Sequence, residues 1–260
     1  MRKIKAENIN NIFFIDIETA PQWATLNDAP EAVRAEWVQK NKYNSDAPLP
    51  PHPDHVDNPN SVGIQKKYDD YFVKLYEKNA ALMPEFSRVV CISGGYLQGG
   101  FFRVKSWFDK DEGALLDRFA EDLNNFNGIN KFLKLCAHYG KGFDYPYIAK
   151  RLLIHRRPLP LLLDMVFVKP WENPNLDTHE IWKVGGIGSG GTLSSIAMAF
   201  GLPSPKIDID GAQVGKAYHN GEIDRIVKYC ELDTFTLLNV FKCIRGEEPL
   251  PETMIQRVVL

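Results

Sequence analysis

Ile12-Phe13-Phe14-Ile15-Asp16-Ile17-Glu18-Thr19 is the stretch whose reading decides the rest of this chain. It is apolar on both faces until two carboxylates enter it, the pattern of a central strand approaching its end. Side chains alternate along a strand, so Asp16 and Glu18 share the face of Ile12 and Phe14, while Phe13, Ile15 and Ile17 point the other way. Two carboxylates held that close repel, and so apolar a strand should not carry them unless a cation neutralises the pair. A D-x-E alone is weak evidence in a chain with 33 acidic residues, where an exposed structural pair explains it as well.

Ala20-Pro21 closes the strand, and the segment from Pro21 to Pro59 holds 7 of the 17 prolines. A long excursion is expected there, with one helix near 31–40 and loop over 41–63. A helix near 65–82 is followed by strand-like runs at 88–97 and 101–107, joined by Gln98-Gly99-Gly100 as a hairpin. With the first strand they suggest an antiparallel three-stranded unit. Next come an amphipathic helix near 111–126, a strand over 132–138 and a helix from about 145 to 155. Beyond a Pro-rich link and a region around 177–183, helices are expected near 193–200, 211–219 and 223–244. In the last, Ile223, Ile226, Val227 and Cys230 follow the i, i+3, i+4, i+7 pattern. Strands followed by alternating helices and strands imply an α/β fold, a mixed sheet flanked by helices. At 260 residues the chain is expected to form one domain, 1–260, with a Pro-rich insertion at about 20–63.

Hydrophobic residues at 44% and charged residues at 25% are ordinary for a packed chain and exclude a mainly disordered one. A net charge of -2 excludes nucleic-acid binding through overall charge, but not through a local basic face. Cys91, Cys136, Cys230 and Cys243 lie far apart with no C-x-x-C pair, so neither a zinc site nor a disulfide framework is indicated, and reduced thiols in a cytoplasmic protein are expected. The apolar run Ile12 to Ile15 is too short for a signal peptide, and no span of about 18 apolar residues offers a membrane helix.

Two further pieces carry chemistry. His138-Tyr139-Gly140-Lys141-Gly142-Phe143-Asp144-Tyr145-Pro146 follows a strand and opens a helix, placing Asp144 near a helix N-terminus, where Asp also serves as a cap. Tyr229 and Asp233 lie i, i+4 on the late helix and share a face. Each is ordinary alone; the ordered set of D-x-E, F-D and Y-x-x-x-D is not.

At these residues the sequence resembles the DEDDy branch of the DEDD exonuclease superfamily, which has the ribonuclease H-like fold. It is most similar to predicted bacterial exonucleases related to the proofreading domain of B-family DNA polymerases. The likeness spans Phe14 to Thr19, His138 to Ile148, Leu193 to Leu202 and Ile207 to Asp233, with Tyr139 standing where the family commonly has Asn. It implies a 3′-5′ exonuclease that takes nucleotides from the 3′ end of single-stranded DNA, with RNA the alternative of the same fold. It also implies two Mg²⁺ or Mn²⁺ ions, the metals that hard oxygen ligands suit. Asp16 is expected to bridge them, Glu18, Asp144 and Asp233 to complete the coordination, and Glu18 also to reach the terminal 3′-hydroxyl. Tyr229 is expected to orient the attacking water, since a phenol with a reference pKa near 10 is a poor base.

Thr19, Tyr139, Lys141 and Phe143, beside the acids, are the expected contacts to the strand. Lys131, Lys134, Lys141, Lys150, Arg151, Arg156 and Arg157 face only Asp144 within 131–157, a basic excess that would offset phosphate repulsion. Two rivals remain: a module that binds nucleic acid without cutting it, and a nucleotide-dependent oxidoreductase. The second rests on Gly186-Ile187-Gly188-Ser189-Gly190-Gly191, which satisfies G-x-G-x-x-G with Asp208 17 residues beyond. Only Ile181 to Val184 could supply its strand, and Pro203 and Pro205 interrupt the unit.

Overall fold

The structure is a computed structural model that describes residues 2–50, 59–188, 190–203 and 208–258. Part of the loop expected over 41–63 lies outside these residues, as do Ser189 in the glycine-rich segment and Ile207. In chain order the elements are α1 (Arg2–Ala6), β1 (Ile12–Pro21), α2 (Glu31–Asn41), α3 (Pro59–Asn79), β2 (Ser87–Gln98), β3 (Phe101–Trp107), α4 (Glu112–Ile129) and β4 (Lys134–Ala137). They continue with α5 (Asp144–Ile154), β5 (Leu176–Asp177), α6 (Thr178–Lys183), α7 (Leu193–Ala199), α8 (Gly211–His219), α9 (Ile223–Arg245) and β6 (Ile255–Arg257). The chain separates into two compact units, Met1–Glu18 with Val89–Leu260, and Thr19–Arg88.

The first unit is a mixed six-stranded sheet in the order β5-β4-β1-β2-β3-β6. β2 and β3 form the expected antiparallel hairpin, whose connection needs left-handed backbone at Gly99 (φ 60°) and Gly100 (φ 82°). β1 pairs in parallel with β4, Phe13 opposite Leu135 and Phe14 opposite Cys136, and β4 pairs in parallel with β5. Parallel neighbours finish at the same edge, so the chain leaves β1, β4 and β5 on one side of the sheet, where ligands of open α/β sheets bind.

The alternation read from β1 is the one found. Phe13, Ile15 and Ile17 pack with Leu115 and Phe119 of α4 and with Ile148 and Leu152 of α5. Ile12 and Phe14 pack on the opposite face with Phe235, Leu238 and Phe241 of α9. Burying a side chain of this size contributes roughly 1.5–3 kcal/mol, so β1 is fixed in register from both sides. Asp16 and Glu18, in phase with Ile12 and Phe14, therefore face α9.

The second unit takes in the expected insertion and continues to Arg88. It has its own core of Leu26, Trp37, Phe72, Tyr76, Ala80 and Phe86. The Trp37 ring meets Tyr76 and Phe86 edge-on, and its Nε1 donates to the Phe72 carbonyl at 3.1 Å. α3 begins at Pro59, earlier than the expected 65, because the helix start carries Asn60 and Ser61 rather than an apolar stripe. None of the described helices is long and apolar enough to cross a membrane.

Candidate active site

The four acids of the sequence reading converge within the first unit. Asp16, on β1, feels the charges of Asp233, Glu18 and Asp144, and Glu18 feels Asp233 and Asp144. Burial, first, and then these like charges push both carboxyls well above their usual range. Glu18 is 7% exposed and Asp144 4%. Burial likewise raises Asp144, to about 7, with Asp177 adding to the rise; its own amide and that of Ile17 donate to it and oppose the shift. The Ile17 amide thus ties the first residue of α5 to β1.

Tyr229 and Asp233 come from one face of α9, and the phenol donates a hydrogen bond to Asp233. Burial and then the charges of Asp233, Glu18 and Asp16 push the phenol far above its ordinary range. Cys230, between them in sequence, gives its thiol proton to the Asp16 carbonyl (3.4 Å) and carboxylate (3.5 Å). Ligand atoms of Asp16, Glu18 and Cys230 lie within 4.8 Å of one another. Burial, Cys91 and the acids raise the Cys230 thiol well above its usual value, so it faces the carboxylates as a protonated donor.

No lysine, arginine or histidine is among the groups that shift Asp16 or Glu18. A buried set of carboxylates without a protein cation is destabilising by itself and offers hard oxygen donors, so the residues fit a divalent ion such as Mg²⁺ or Mn²⁺.

The second motif is held by a residue the sequence reading missed. Asp177, 3% exposed, accepts the amides of Tyr139 (2.9 Å), Lys141 (3.1 Å) and His179 (2.9 Å), capping α6 while fixing the turn that ends in Asp144. The D-x-x-E pattern of Asp177 and Glu180 was the available signal. Tyr139 sits at φ 63°, a left-handed conformation easier for Asn than for Tyr. The glycines of the turn answer close approach: a Cβ on Gly142 would lie 2.5 Å from the Tyr139 ring, and one on Gly140 would lie 2.7 Å from the Tyr145 ring. Asp177→Ala is expected to leave four amides, those of Tyr139, Lys141, His179 and Glu180, without their acceptor, lowering stability by about 2–4 kcal/mol in a urea titration and activity with it.

The expected strand contacts divide. Tyr139 is 51% exposed, with its ring 5.0 Å from His179. Lys141 is engaged by Glu180 at 2.9 Å. Phe143 packs against the core and Tyr147. Thr19 belongs to the second unit, where its buried hydroxyl donates to the Ala81 carbonyl at 2.8 Å. The basic excess counted over 131–157 is largely cancelled by acids distant in sequence: Lys134 pairs with Glu7, Lys141 with Glu180, Arg151 with Glu112 and Arg157 with Asp117.

The glycine-rich segment follows α6, which ends at left-handed Val184 (φ 50°), so a helix stands where a dinucleotide fold needs a strand. Its far end is tied down, the Gly190 amide donating to His179 Nε2 and the Gly191 carbonyl facing His138 Nε2 at 3.1 Å.

Residues 79–248 match the family of predicted 3′-5′ exonucleases related to the exonuclease domain of PolB. The chain belongs to that family. The matched segment takes in Asp144, Tyr229 and Asp233; Asp16 and Glu18 precede it. Among solved structures, the family B DNA polymerase from the hyperthermophilic archaeon Pyrobaculum calidifontis is similar, with a TM-score of 0.50 and 18% identity over 64% of this chain. The likeness covers 23% of the polymerase and bears on fold alone: the mixed sheet with flanking helices is ribonuclease H-like. No curated protein matches the chain.

Proposed function

We propose that this exonuclease-family chain removes nucleotides from the 3′ end of single-stranded DNA with two divalent ions held by Asp16, Glu18, Asp144 and Asp233. The observation that carries the reading is the convergence of these acids with no protein cation among the groups acting on Asp16 and Glu18. When bound, Mg²⁺ or Mn²⁺ ions would supply an activated water and charge stabilisation for the leaving oxygen. Asp16, which feels the charges of the other three acids, would help to hold both ions. Glu18 lies beside it and can accept the terminal 3′-hydroxyl, selecting strand ends over internal phosphates.

Tyr229 offers its oxygen to the attacking water while Asp233 holds its proton. With the phenol raised far above neutrality, it orients the water and does not deprotonate it. Tyr229→Phe keeps the packed ring and is expected to lower single-turnover rates by a factor of about tens while metal binding persists. An unchanged rate would remove Tyr229 from the chemistry.

The direct test is release of nucleotides from a 5′-labelled strand in Mg²⁺ or Mn²⁺, run in parallel on DNA and RNA. Stepwise shortening of linear DNA, with circular strands resistant, is expected. Equal cutting of circles would mean endonuclease action, and faster shortening of RNA would reverse the choice of substrate. Binding without nucleotide release would favour the non-cutting module.

A further inference from the structure

The exposed face of α5 borders a groove of about 490 Å³ that the chemistry above does not use. Its walls include Leu153, Leu163 and Val166, and its lysines include Lys150, Lys169 and Lys183. None of these three lysines joins an ion pair found among the described residues, whereas Lys141, also in the lining, is neutralised by Glu180. Of the aromatic rings, half-exposed Tyr139 lines it, while fully exposed Phe167 (left-handed, φ 64°) and 77%-exposed Trp171 adjoin its lining residues Val166, Val168 and Pro170 in sequence. The Lys169 ammonium lies 5.6 Å from the Trp171 ring centroid. Tyr139 and Lys141, which are among its lining residues, belong to the turn that leads into Asp144.

Lysines outside ion pairs in a groove flanked by exposed rings suit a flexible single strand, whose phosphates meet the ammonium groups while its bases stack. A groove that combines positive charge and rings and takes in the turn leading into Asp144 favours a nucleic-acid strand over a folded protein partner. We propose that this groove is a strand-binding track, holding nucleotides upstream of the 3′ end through Lys150, Lys169 and Lys183 and stacking bases on Trp171. The inference rests on the exonuclease reading for the identity of the strand. It adds that affinity grows with strand length beyond the nucleotides at the acids.

The test separates binding from cutting. Anisotropy of labelled oligothymidylates of about 4 and about 16 nucleotides is measured in EDTA over a salt series, for the full chain, Lys150→Glu/Lys183→Glu, Trp171→Ala, and Lys5→Glu as a control. Lys5 is on α1, whose Ile4 carbonyl is bound by Arg245 at the far end of α9 from Tyr229. The longer strand is expected to bind the wild type and the control at least about tenfold more tightly than the shorter one. The double variant should lose that advantage, and its salt slope should be shallower by about 1.4, two phosphates at about 0.7 each. Trp171→Ala should weaken the longer strand about five- to tenfold or more.

Failure of the long strand to bind, or an equal length advantage in wild type and double variant, overturns the track. So does loss of binding to an acidic, aromatic peptide in the groove variants while DNA binding stays intact, which would make the groove a protein dock. Nucleotide release by the wild type, measured alongside in Mn²⁺, tells the two readings apart. Release with one KM for both lengths sinks the track and leaves the exonuclease standing; length-dependent binding without release does the reverse.

Discussion

Asp16→Asn and Asp233→Asn are each expected to reduce nucleotide release by at least about a thousandfold, about 4 kcal/mol of transition-state stabilisation, while leaving the metal-free melting temperature unchanged or raised. The two effects have one cause. Without ions the carboxyls of Asp16, Glu18, Asp144 and Asp233 act on one another as like charges in a buried place, so removing one relieves repulsion where most buried substitutions destabilise. Their pKa shifts fix the sign of the pH dependence. A carboxyl raised in the folded state contributes stability that is present below its unfolded value, about 4, and lost as pH rises through the folded value, about 7 for Asp144. In EDTA the wild type should therefore melt lower at pH 8 than at pH 5. Added Mn²⁺ should restore stability at pH 8 by RT ln(1 + [L]/Kd), a gain both variants mostly lose. Variants that melt well below wild type in EDTA and keep the full metal-induced shift would make these aspartates structural.

The second large effect lies behind the site. Glu112, at the start of α4, accepts Arg151 Nε at 2.8 Å and Nη2 at 2.5 Å, the Val89 amide at 2.8 Å, and His155 Nε2 at 3.0 Å. Arg151 is on α5, whose first residue is Asp144, so this two-point ion pair locks the helix that carries an acid. Arg151→Met is expected to destabilise by about 3–5 kcal/mol in urea, because Glu112 keeps its buried charge without the partner. Glu112→Leu combined with Arg151→Met should cost less than Arg151→Met alone, and an equal or larger loss would refute that account. Burial alone would raise Glu112, but the hydrogen bonds and charge of Arg151, with His155 and the Val89 amide, outweigh it and the carboxyl is lowered. A lowered carboxyl contributes stability above its unfolded value, about 4.3, and loses it as pH falls through the folded value. The gap between wild type and Glu112→Gln should therefore close on the acid side of pH 4.

What could be read from the sequence follows from how far each signal reaches along it. β1 and α9 were legible because their periodicities repeat over 10 and 23 residues, and the packing of Ile12 and Phe14 on α9 agrees with the face assigned to Asp16. β5 and β6, with 2 and 3 residues, are too short to leave a pattern, yet β5 ends in the Asp177 that fixes the turn leading into Asp144. The basic excess around the second motif looked like a nucleic-acid face because its counter-charges are distant, Glu7 being 127 residues from Lys134 and Glu112 39 from Arg151. Lys169 and Lys183 were passed over for the opposite reason: they join Lys150 in one groove only when the chain after α5 folds back.

The bond from Cys230 to Asp16 joins residues 214 apart in sequence. During synthesis the central strand is made long before the helix that completes its acid cluster. Contacts of such separation form late, after most of the loop-closure entropy has been met. Until α9 is made the nascent chain carries Asp16 and Glu18 without Asp233 against them, so the four-acid cluster assembles only after that helix has been synthesised.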